Sequence, residues 1–337
     1  MNETNEEMLS LQKDLIEKRN LSESTAKLYI RTLYILNDRK VFKTIAFLKD
    51  VEAIKEKLSK YALSSQKTML SLISVVVGLY ADKPTYKKLH SVYDALMREK
   101  WEKINAAQSD KMNEKQKANW IEEPEIIKKR EELKEKVDAL PKKDLSEDQW
   151  DTLLSHLVLS LYTETEPRRN LDYLRMKIVK NYNDKLPKDS NYLSLKDKKF
   201  VFNIYKTAWK YGTQVVDVPP RLMDILKNYI SYYPNIKTES EAPLLIKADK
   251  KPFTATNSIT RILNKIFGKS IGSSALRHII LSEKYGDVVE DMKKTANNMA
   301  HSVAQQRDYI KVDATSKPKK RKLRKPESVM EVTLPTV

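Results

Sequence analysis

The segment KKFVFNIYKTAWKYGTQVVDVPPRL, residues 198–222, carries the clearest strand pattern in the chain. It has two arms of apolar residues at alternating positions, and these residues are Phe200, Phe202, Ile204, Val216 and Val218. Gly212 marks a turn between the arms, and the Pro219–Pro220 pair ends the second arm. The segment therefore predicts a β-hairpin.

The rest of the sequence favours helices. The chain has five glycines in 337 residues and is rich in lysine, glutamate and leucine, a composition in which strands are the exception. Residues 21–36, LSESTAKLYIRTLYIL, offer Ser22 or Ser24 as an N-cap. Apolar residues at nearly helical spacing follow, and they are Leu28, Ile30, Leu33 and Ile35. The predicted fold class is mainly α with a small β-hairpin or sheet, an α+β arrangement.

Composition divides the chain into four parts, which are a compact helical domain at 1–100, a charged linker with an exposed helix at 101–145, a second domain at 146–312 and a basic tail at 313–337. Trp120 is expected to anchor the linker against a domain, or alternatively to stack on a base. The helix that begins at SSALRHII, residues 273–280, is expected to end at Gly286.

Charge indicates the class of partner. The chain has 63 lysines and arginines against 46 acidic residues, a net charge of +17. Release of counterions from phosphates drives the binding of such proteins to polyanions, so double-stranded DNA is the first candidate. The alternative is a protein that is merely basic.

Several protein classes are disfavoured by what the sequence lacks. There is no cysteine, which excludes disulfides, thiolate chemistry and zinc fingers. The first twenty residues lack the apolar stretch of a signal peptide, and no window is apolar enough to span a membrane. We expect a soluble intracellular protein.

Four stretches of the second half contain basic residues, a histidine and a tyrosine in a suggestive order. They are EPRRNLDYLRMKI at 166–178, NIYKTAWKYG at 203–212, SSALRHII at 273–280 and MAHSVAQQRDYIK at 299–311. In order they supply an arginine after a helix, a lysine in the hairpin, an arginine one helical turn into the next helix, a histidine and a tyrosine. Each residue alone is weak evidence, since the chain has 17 tyrosines. The evidence is their order along the chain together with the helices and the hairpin in which they are predicted to lie.

This order resembles that of the tyrosine recombinases, the phage-type integrase family. The first 100 residues look like that family's helical core-binding domain (SAM-like), and residues from about 145 to 311 look like its catalytic domain. The resemblance implies a site-specific recombinase or integrase that cuts and rejoins DNA through a 3′-phosphotyrosine intermediate, as a homo-tetramer on DNA. It implies neither ATP nor metal nor any other cofactor. A virus of a eukaryote or a mobile element is the natural source.

The resemblance assigns six catalytic residues, which are Arg169, Lys206, Ser274, Arg277, His301 and the nucleophile Tyr309. Arg169 is preferred as the first arginine because that register places Asp172 at the family's acidic position. Arg168 stays open as an alternative for the first arginine, and Lys210 as an alternative for the lysine.

Two departures from the family pattern bear on activity. Ser274 stands where the family commonly has a histidine, and the spacing from His301 to Tyr309 is about one residue short. A serine can donate a hydrogen bond to phosphate but cannot carry a proton as imidazole does. We expect reduced or divergent activity and not its loss, because the other five positions match the family pattern.

The residue types suit phosphodiester cleavage. Attack by the Tyr309 phenol oxygen splits one hard displacement into two and conserves the bond energy for rejoining. The guanidinium groups of Arg169 and Arg277, with His301 as a further donor, would stabilise the charge on the non-bridging oxygens. Lys206 would protonate the leaving 5′ oxygen. Cationic neighbours favour the phenolate form of the nucleophile.

The basic cluster Lys317–Lys325 resembles a monopartite nuclear import signal, which would recruit an import receptor and place the protein in the nucleus. The alternative is a flexible arm that adds phosphate affinity. Two further functions stay open for the whole chain, a type IB DNA topoisomerase and a DNA-binding protein that keeps the recombinase fold without cutting.

Overall fold

A computed structural model of the chain describes residues 6–107, 112, 114–233 and 241–311. The chain divides into two compact units, Met1–Met112 and Asn113–Val337. Helices predominate, and one small sheet of five strands lies in the second unit. The predicted class, mainly α with a small sheet, is confirmed. No helix among the described residues is long and apolar enough to cross a membrane.

The first unit is helical throughout its described part. Its α-helices are α1 (Glu6–Arg19), α2 (Glu23–Leu36), α3 (Val51–Ser59), α4 (Leu63–Gly78) and α5 (Pro84–Ala106), with a 3-10 turn at Ala46–Lys49. They enclose one apolar core, in which the hydroxyl of the buried Tyr93 donates a hydrogen bond to the Leu48 carbonyl at 2.7 Å. Burial raises the pKa of this phenol.

Helix α2 shows how the local sequence sets a helix in this unit. The Ser22 side chain accepts a hydrogen bond from the backbone N–H of Thr25 and caps the first turn. The residues that point into the core are Ala26, Ile30, Leu33 and Leu36. Leu28, predicted as part of the apolar face, is instead exposed, because it lies on the other side of this stripe of i, i+4, i+7 spacing.

The second unit contains nine described α-helices around the sheet. In chain order its elements are α6 (Glu114–Asn119), α7 (Glu123–Asp138), α8 (Glu147–Thr163), α9 (Asn170–Leu174), β1 (Lys177–Val179), β2 (Tyr192–Ser194), β3 (Lys199–Phe202), α10 (Ala208–Tyr211), β4 (Gln214–Asp217), α11 (Pro220–Ser231), β5 (Glu241–Pro243), α12 (Ser258–Phe267), α13 (Ser273–Asn298) and α14 (Val303–Tyr309).

The predicted hairpin is present as the antiparallel pair β3 and β4, with Phe200 opposite Val216. Two details differ from the prediction. Ile204 lies beyond β3 and is exposed, and helix α10 occupies the connection before Gly212, whose φ is +63°. The hairpin also belongs to a larger sheet of order β4-β3-β2-β1-β5, in which only the β1–β2 pair is parallel. Strands of three residues, such as β1, β2 and β5, are too short to show a period in the sequence.

Helix α8 is the centre of the second core. A capping box formed by Ser146 and Gln149 starts it. It is buried on nearly all sides, as the absence of a polar face in its sequence predicts. Its buried Trp150 donates a hydrogen bond to the Ile246 carbonyl at 3.1 Å. His156 is also buried, which lowers its pKa to about 4.

The charged segment 101–145 is less of a linker than its composition indicates. Helix α7 places Ile126 and Val137 in the core around α8, and Trp120 packs against that core. The expected anchoring role of Trp120 is confirmed. The charged residues occupy the outer face of α7, and this is why composition alone suggested an exposed helix.

Arg130 of α7 is expected to be among the most costly residues to truncate. Its guanidinium is 8% exposed and pairs with Glu164, 12% exposed, at 2.6 Å. Arg130→Ala would leave that carboxylate buried, and we expect a loss of about 3 kcal/mol in the free energy of unfolding. The value is at the low end for a broken buried pair because Arg221 also contacts Glu164, at 3.2 Å. Urea denaturation measures it.

Two variants control for this effect. Arg221 is half exposed, so Arg221→Ala should cost about 1 kcal/mol or less. The double variant Arg130→Met/Glu164→Leu removes both charges and should recover most of the stability. Equal losses for the two single arginine variants would contradict the assignment of a buried ion pair.

Helix α13 corrects the prediction that this helix ends at Gly286. It continues without interruption to Asn298, twelve residues further. Residues 281–291 are exposed on every side, and a Cβ added at Gly286 would meet no atom within 4 Å. Glycine destabilises a helix by about 1 kcal/mol relative to alanine when it lies in the interior. This destabilisation is small enough for the helix to continue through Gly286.

Candidate functional site

A cleft in the second unit brings together residues from three of the four stretches identified in the sequence. Its volume is about 390 Å³. One side is the segment that enters α9, another is the β3–β4 hairpin, and Arg277 of α13 closes it. The charged and polar residues of its lining are Thr165, Glu166, Arg168, Arg169, Asp172, Tyr173, Tyr205, Thr207, Tyr211, Gln214 and Arg277.

Arg277 lies in the second turn of α13, and its guanidinium is held in place by its own helix. Its Nε donates to the Ser273 carbonyl at 3.2 Å, and one terminal nitrogen donates to the Ser274 hydroxyl at 3.2 Å. Ser274, at the position where the recombinase resemblance leads one to expect histidine, therefore orients the arginine. The other terminal nitrogen makes no hydrogen bond within the described residues.

Arg168 and Arg169 are adjacent but play different parts. Arg168 donates to Asp172 at 3.0 Å and to the Gln214 side chain at 2.9 Å, and its guanidinium lies 3.7 Å from the centre of the Phe202 ring. These contacts tie the start of α9 to the hairpin. They use two of the five N–H donors of Arg168, and the Phe202 ring covers one face of its guanidinium.

Arg169 is the N-cap residue of α9 and is half-buried in the cleft. Within the described ranges no ion pair or side-chain hydrogen bond engages its guanidinium, although Asp172 feels its charge. The next residue, Asn170, is fixed by the Tyr162 hydroxyl at 2.8 Å and by Thr260 at 2.9 Å. Of the two arginines, Arg169 is the better placed to bind an anion.

Burial and positive charge compete at Asp172. The carboxylate is 4% exposed, and burial raises its pKa while Arg168 and Arg169 oppose the rise. Burial likewise raises the pKa of the Tyr162 phenol, and Arg277 opposes that shift. The charges of Arg168 and Arg169 thus act on Asp172, and the charge of Arg277 acts on Tyr162.

Neither candidate lysine lines the cleft. Lys206 is exposed in the turn between β3 and α10, and Lys210 is exposed on α10, with its ammonium 5.2 Å from the centre of the Tyr211 ring. Their neighbours Tyr205, Thr207 and Tyr211 do line it. The hairpin connection therefore borders the cleft, and both lysines are on its outer face.

His301 and Tyr309 form a pair of their own. Their ring centres are 5.7 Å apart. His301 Nδ1 is 3.1 Å from the Ser302 carbonyl, and its Nε2 is buried without a hydrogen-bond partner among the described residues. The ring of Tyr309, the last residue of α14, is 63% exposed.

The two groups of predicted residues lie at opposite ends of α13. From Arg277 to Asn298 the helix extends about 30 Å at 1.5 Å per residue. His301 follows that end, and α14 has only seven residues, so it can return by about 10 Å at most. The structure brings Arg169, Ser274 and Arg277 together and His301 and Tyr309 together, but it does not join the two groups.

Three residues that line the cleft and contact Arg168 were not predicted to be part of the site. Tyr205, Phe202 and Gln214 hold Arg168 through ring and amide contacts. The strand pattern marked Phe202 only as a core residue, and nothing in a single sequence indicates that Gln214 faces Arg168. No group of three or more His, Cys, Asp or Glu side chains that could hold a metal ion occurs in the described part of the chain.

No protein-family model matches the sequence, and no curated protein matches it. The resemblance to the tyrosine recombinases therefore stays a prediction from the sequence.

Proposed function

We propose that the protein is a tyrosine-type site-specific recombinase that cuts and rejoins double-stranded DNA. The observation that carries the proposal is the placement of Arg169 and Arg277, distant in sequence, in one cleft bordered by the hairpin. Two guanidinium groups with free donors form a site for a phosphate. The net charge of +17 supports a nucleic acid as the source of that phosphate.

In this proposal the cleft holds the scissile phosphate. Arg169 and Arg277 bind the non-bridging oxygens and stabilise the charge that develops on them. Ser274 fixes Arg277, and Arg168 fixes the hairpin against α9. A lysine of the hairpin connection, Lys206 or Lys210, protonates the leaving 5′ oxygen. The first unit would serve as the core-binding domain, and a homo-tetramer would join two duplexes.

Tyr309 must first move to the cleft before its hydroxyl oxygen can attack the phosphorus. We propose that α13 bends at Gly286, so that its second half folds back and delivers His301 and Tyr309 to the arginines. The exposure of residues 281–291 supports this, because no buried contact of that segment would be lost. The arrangement described above is then a state that precedes cleavage.

Gly286→Ala should slow cleavage by about fivefold, since alanine favours the uninterrupted helix by about 1 kcal/mol. The added methyl group meets no neighbour, so a steric effect is not expected. The rate of covalent protein–DNA adduct formation measures the change. Leu281→Ala is the matched control, because Leu281 is also exposed on α13 and alanine and leucine have similar helix propensities. An unchanged or faster rate in Gly286→Ala would contradict bending and indicate that Tyr309 acts on the cleft of a neighbouring copy.

A nicked suicide substrate tests the function itself. Duplexes from the DNA flanking the gene would be offered to the full-length protein, with the nick placed so that the cleaved strand diffuses away. A covalent adduct whose tryptic peptide carries the nucleotide on Tyr309 supports the recombinase. Relaxation of supercoiled plasmid that lacks a target site would instead indicate a type IB topoisomerase.

The second candidate is a DNA-binding protein that keeps the recombinase fold without cutting. The distance between Arg277 and Tyr309 and the presence of Ser274 favour it. DNA binding without any adduct on any substrate would select it. Nuclear import through Lys317–Lys325 is a further part of the proposal, and those residues lie outside the described ranges.

A further inference from the structure

The connection between β3 and β4 presents a tryptophan to solvent. Trp209 of α10 is 86% exposed, a much larger fraction than Trp101 at 52%, and Trp150 is buried. Tryptophan is normally at least half covered in a folded protein, because its ring is the largest apolar surface of any side chain. Ile204 and Tyr211 of the same connection are exposed as well, and a group of exposed apolar side chains marks a contact site where a single one does not.

The backbone around Trp209 is held by hydrogen bonds. Asn191 accepts from the backbone N–H groups of Asn203 and Ile204, each at 2.8 Å. The Tyr205 hydroxyl donates to the Gly212 carbonyl at 2.6 Å, which closes the loop that carries α10. The backbone that carries the indole is therefore fixed, and binding a partner requires little ordering of the main chain.

Charge identifies the partner. The tip, residues 203–213, contains Lys206 and Lys210 and no carboxylate, and both lysines are exposed. Tyr205, Thr207 and Tyr211 of the same tip line the cleft that contains Arg169 and Arg277. A protein or lipid surface would explain the exposed indole, but an indole between two ammonium groups beside an arginine cleft fits the alternating bases and phosphates of a nucleic acid.

We propose that Trp209 stacks on a DNA base next to the phosphate bound in the cleft, as an apolar wedge at the step flanking the cleavage point. Apolar side chains inserted in this way unstack a step and kink the duplex. One of Lys206 and Lys210 acts at the leaving oxygen, as proposed above, and the other contacts a neighbouring phosphate. This inference rests on the proposed function in one respect, since it takes DNA as the partner.

Binding of a short linear duplex of mixed sequence, followed by fluorescence anisotropy over a range of salt concentrations, tests the proposal. Trp209→Ala should weaken binding by about 5- to 150-fold, the range for loss of one base–aromatic stack, and Trp209→Phe should retain much of the affinity. The slope of log K against log salt should not change, because indole carries no charge. Lys210→Gln should instead reduce the magnitude of that slope by about 1.

Val215→Ala is the matched control, because Val215 is an exposed apolar residue of β4 in the same hairpin. It should bind DNA like the wild type. Affinity of Trp209→Ala within twofold of wild type, or an equal loss in Val215→Ala, would overturn the proposal.

Tryptophan emission gives a second readout. The wild-type spectrum minus that of Trp209→Phe isolates this indole from the other three tryptophans, and stacking on a base should quench it on saturation with duplex. An unquenched difference spectrum would overturn the proposal. Quenching without any covalent adduct would contradict the recombinase function and support the stacking contact. A covalent adduct without quenching would support the recombinase function and contradict the stacking contact.

Discussion

Tyr309→Phe is expected to abolish formation of the covalent protein–DNA adduct, a loss of roughly 10⁴-fold or more. The change removes one oxygen, the atom that would form the bond to phosphorus. Its ring lies against His301 at 5.7 Å and is largely exposed, so phenylalanine should preserve the fold and the affinity for DNA. Trapping on a nicked suicide substrate, followed by gel electrophoresis under denaturing conditions, measures the loss.

The control for this variant is Tyr285→Phe. Tyr285 is an exposed tyrosine of α13 at 47%, and its hydroxyl has no part in the proposed chemistry. It should form adduct at the wild-type rate. If Tyr309→Phe still forms adduct, the nucleophile is another residue and the assignment from the sequence is wrong.

Arg277→Ala is expected to lower adduct formation by about 10²- to 10³-fold, the effect of removing one donor to a developing oxyanion. DNA affinity should change by much less, because many other basic residues contribute to it. Arg277→Lys should recover only part of the rate, since an ammonium cannot reproduce the planar fork that binds two oxygens. Single-turnover cleavage at saturating protein separates the rate from binding.

His278→Ala controls for changes to the first turns of α13. His278 follows Arg277 and is exposed, and it should cut DNA normally. An equal loss in the two variants would show that the helix end, and not the guanidinium, matters. Unchanged cleavage in Arg277→Ala would remove this arginine from the site and with it the role of the cleft.

Short-range patterns predicted the parts of the fold that depend on neighbours in the sequence. The Ser22 cap, the buried character of α8 and the β3–β4 hairpin all follow from residues within one or two turns of each other. The strands β1, β2 and β5 were missed because each has three residues and gains its pairing from partners distant in sequence. Helix α7 was assigned to a linker because its few apolar residues are diluted by charge, although they reach the core.

Part of the candidate site could likewise be predicted from the sequence, and part required the fold. Residue types and order were enough to select Arg169, Arg277, His301 and Tyr309. The register of Asp172 already favoured Arg169 over Arg168, and the fold adds a second reason that the sequence did not show, because Arg168 is engaged by Phe202 and Gln214 from the hairpin. The exposed position of Trp209 on the hairpin tip was likewise not indicated by the sequence.

The sequence by itself determined that the chain is basic, mainly helical and marked by a hairpin, because charge, helix propensity and alternation are properties of single residues and near neighbours. The tertiary structure decided which side chains meet. It placed two arginines in one cleft, and it continued α13 through Gly286 and so held Tyr309 apart from them. One glycine in a helix interior costs only about 1 kcal/mol, too little to end a helix by itself, and the exposed residues around Gly286 make no buried contact that would bend it.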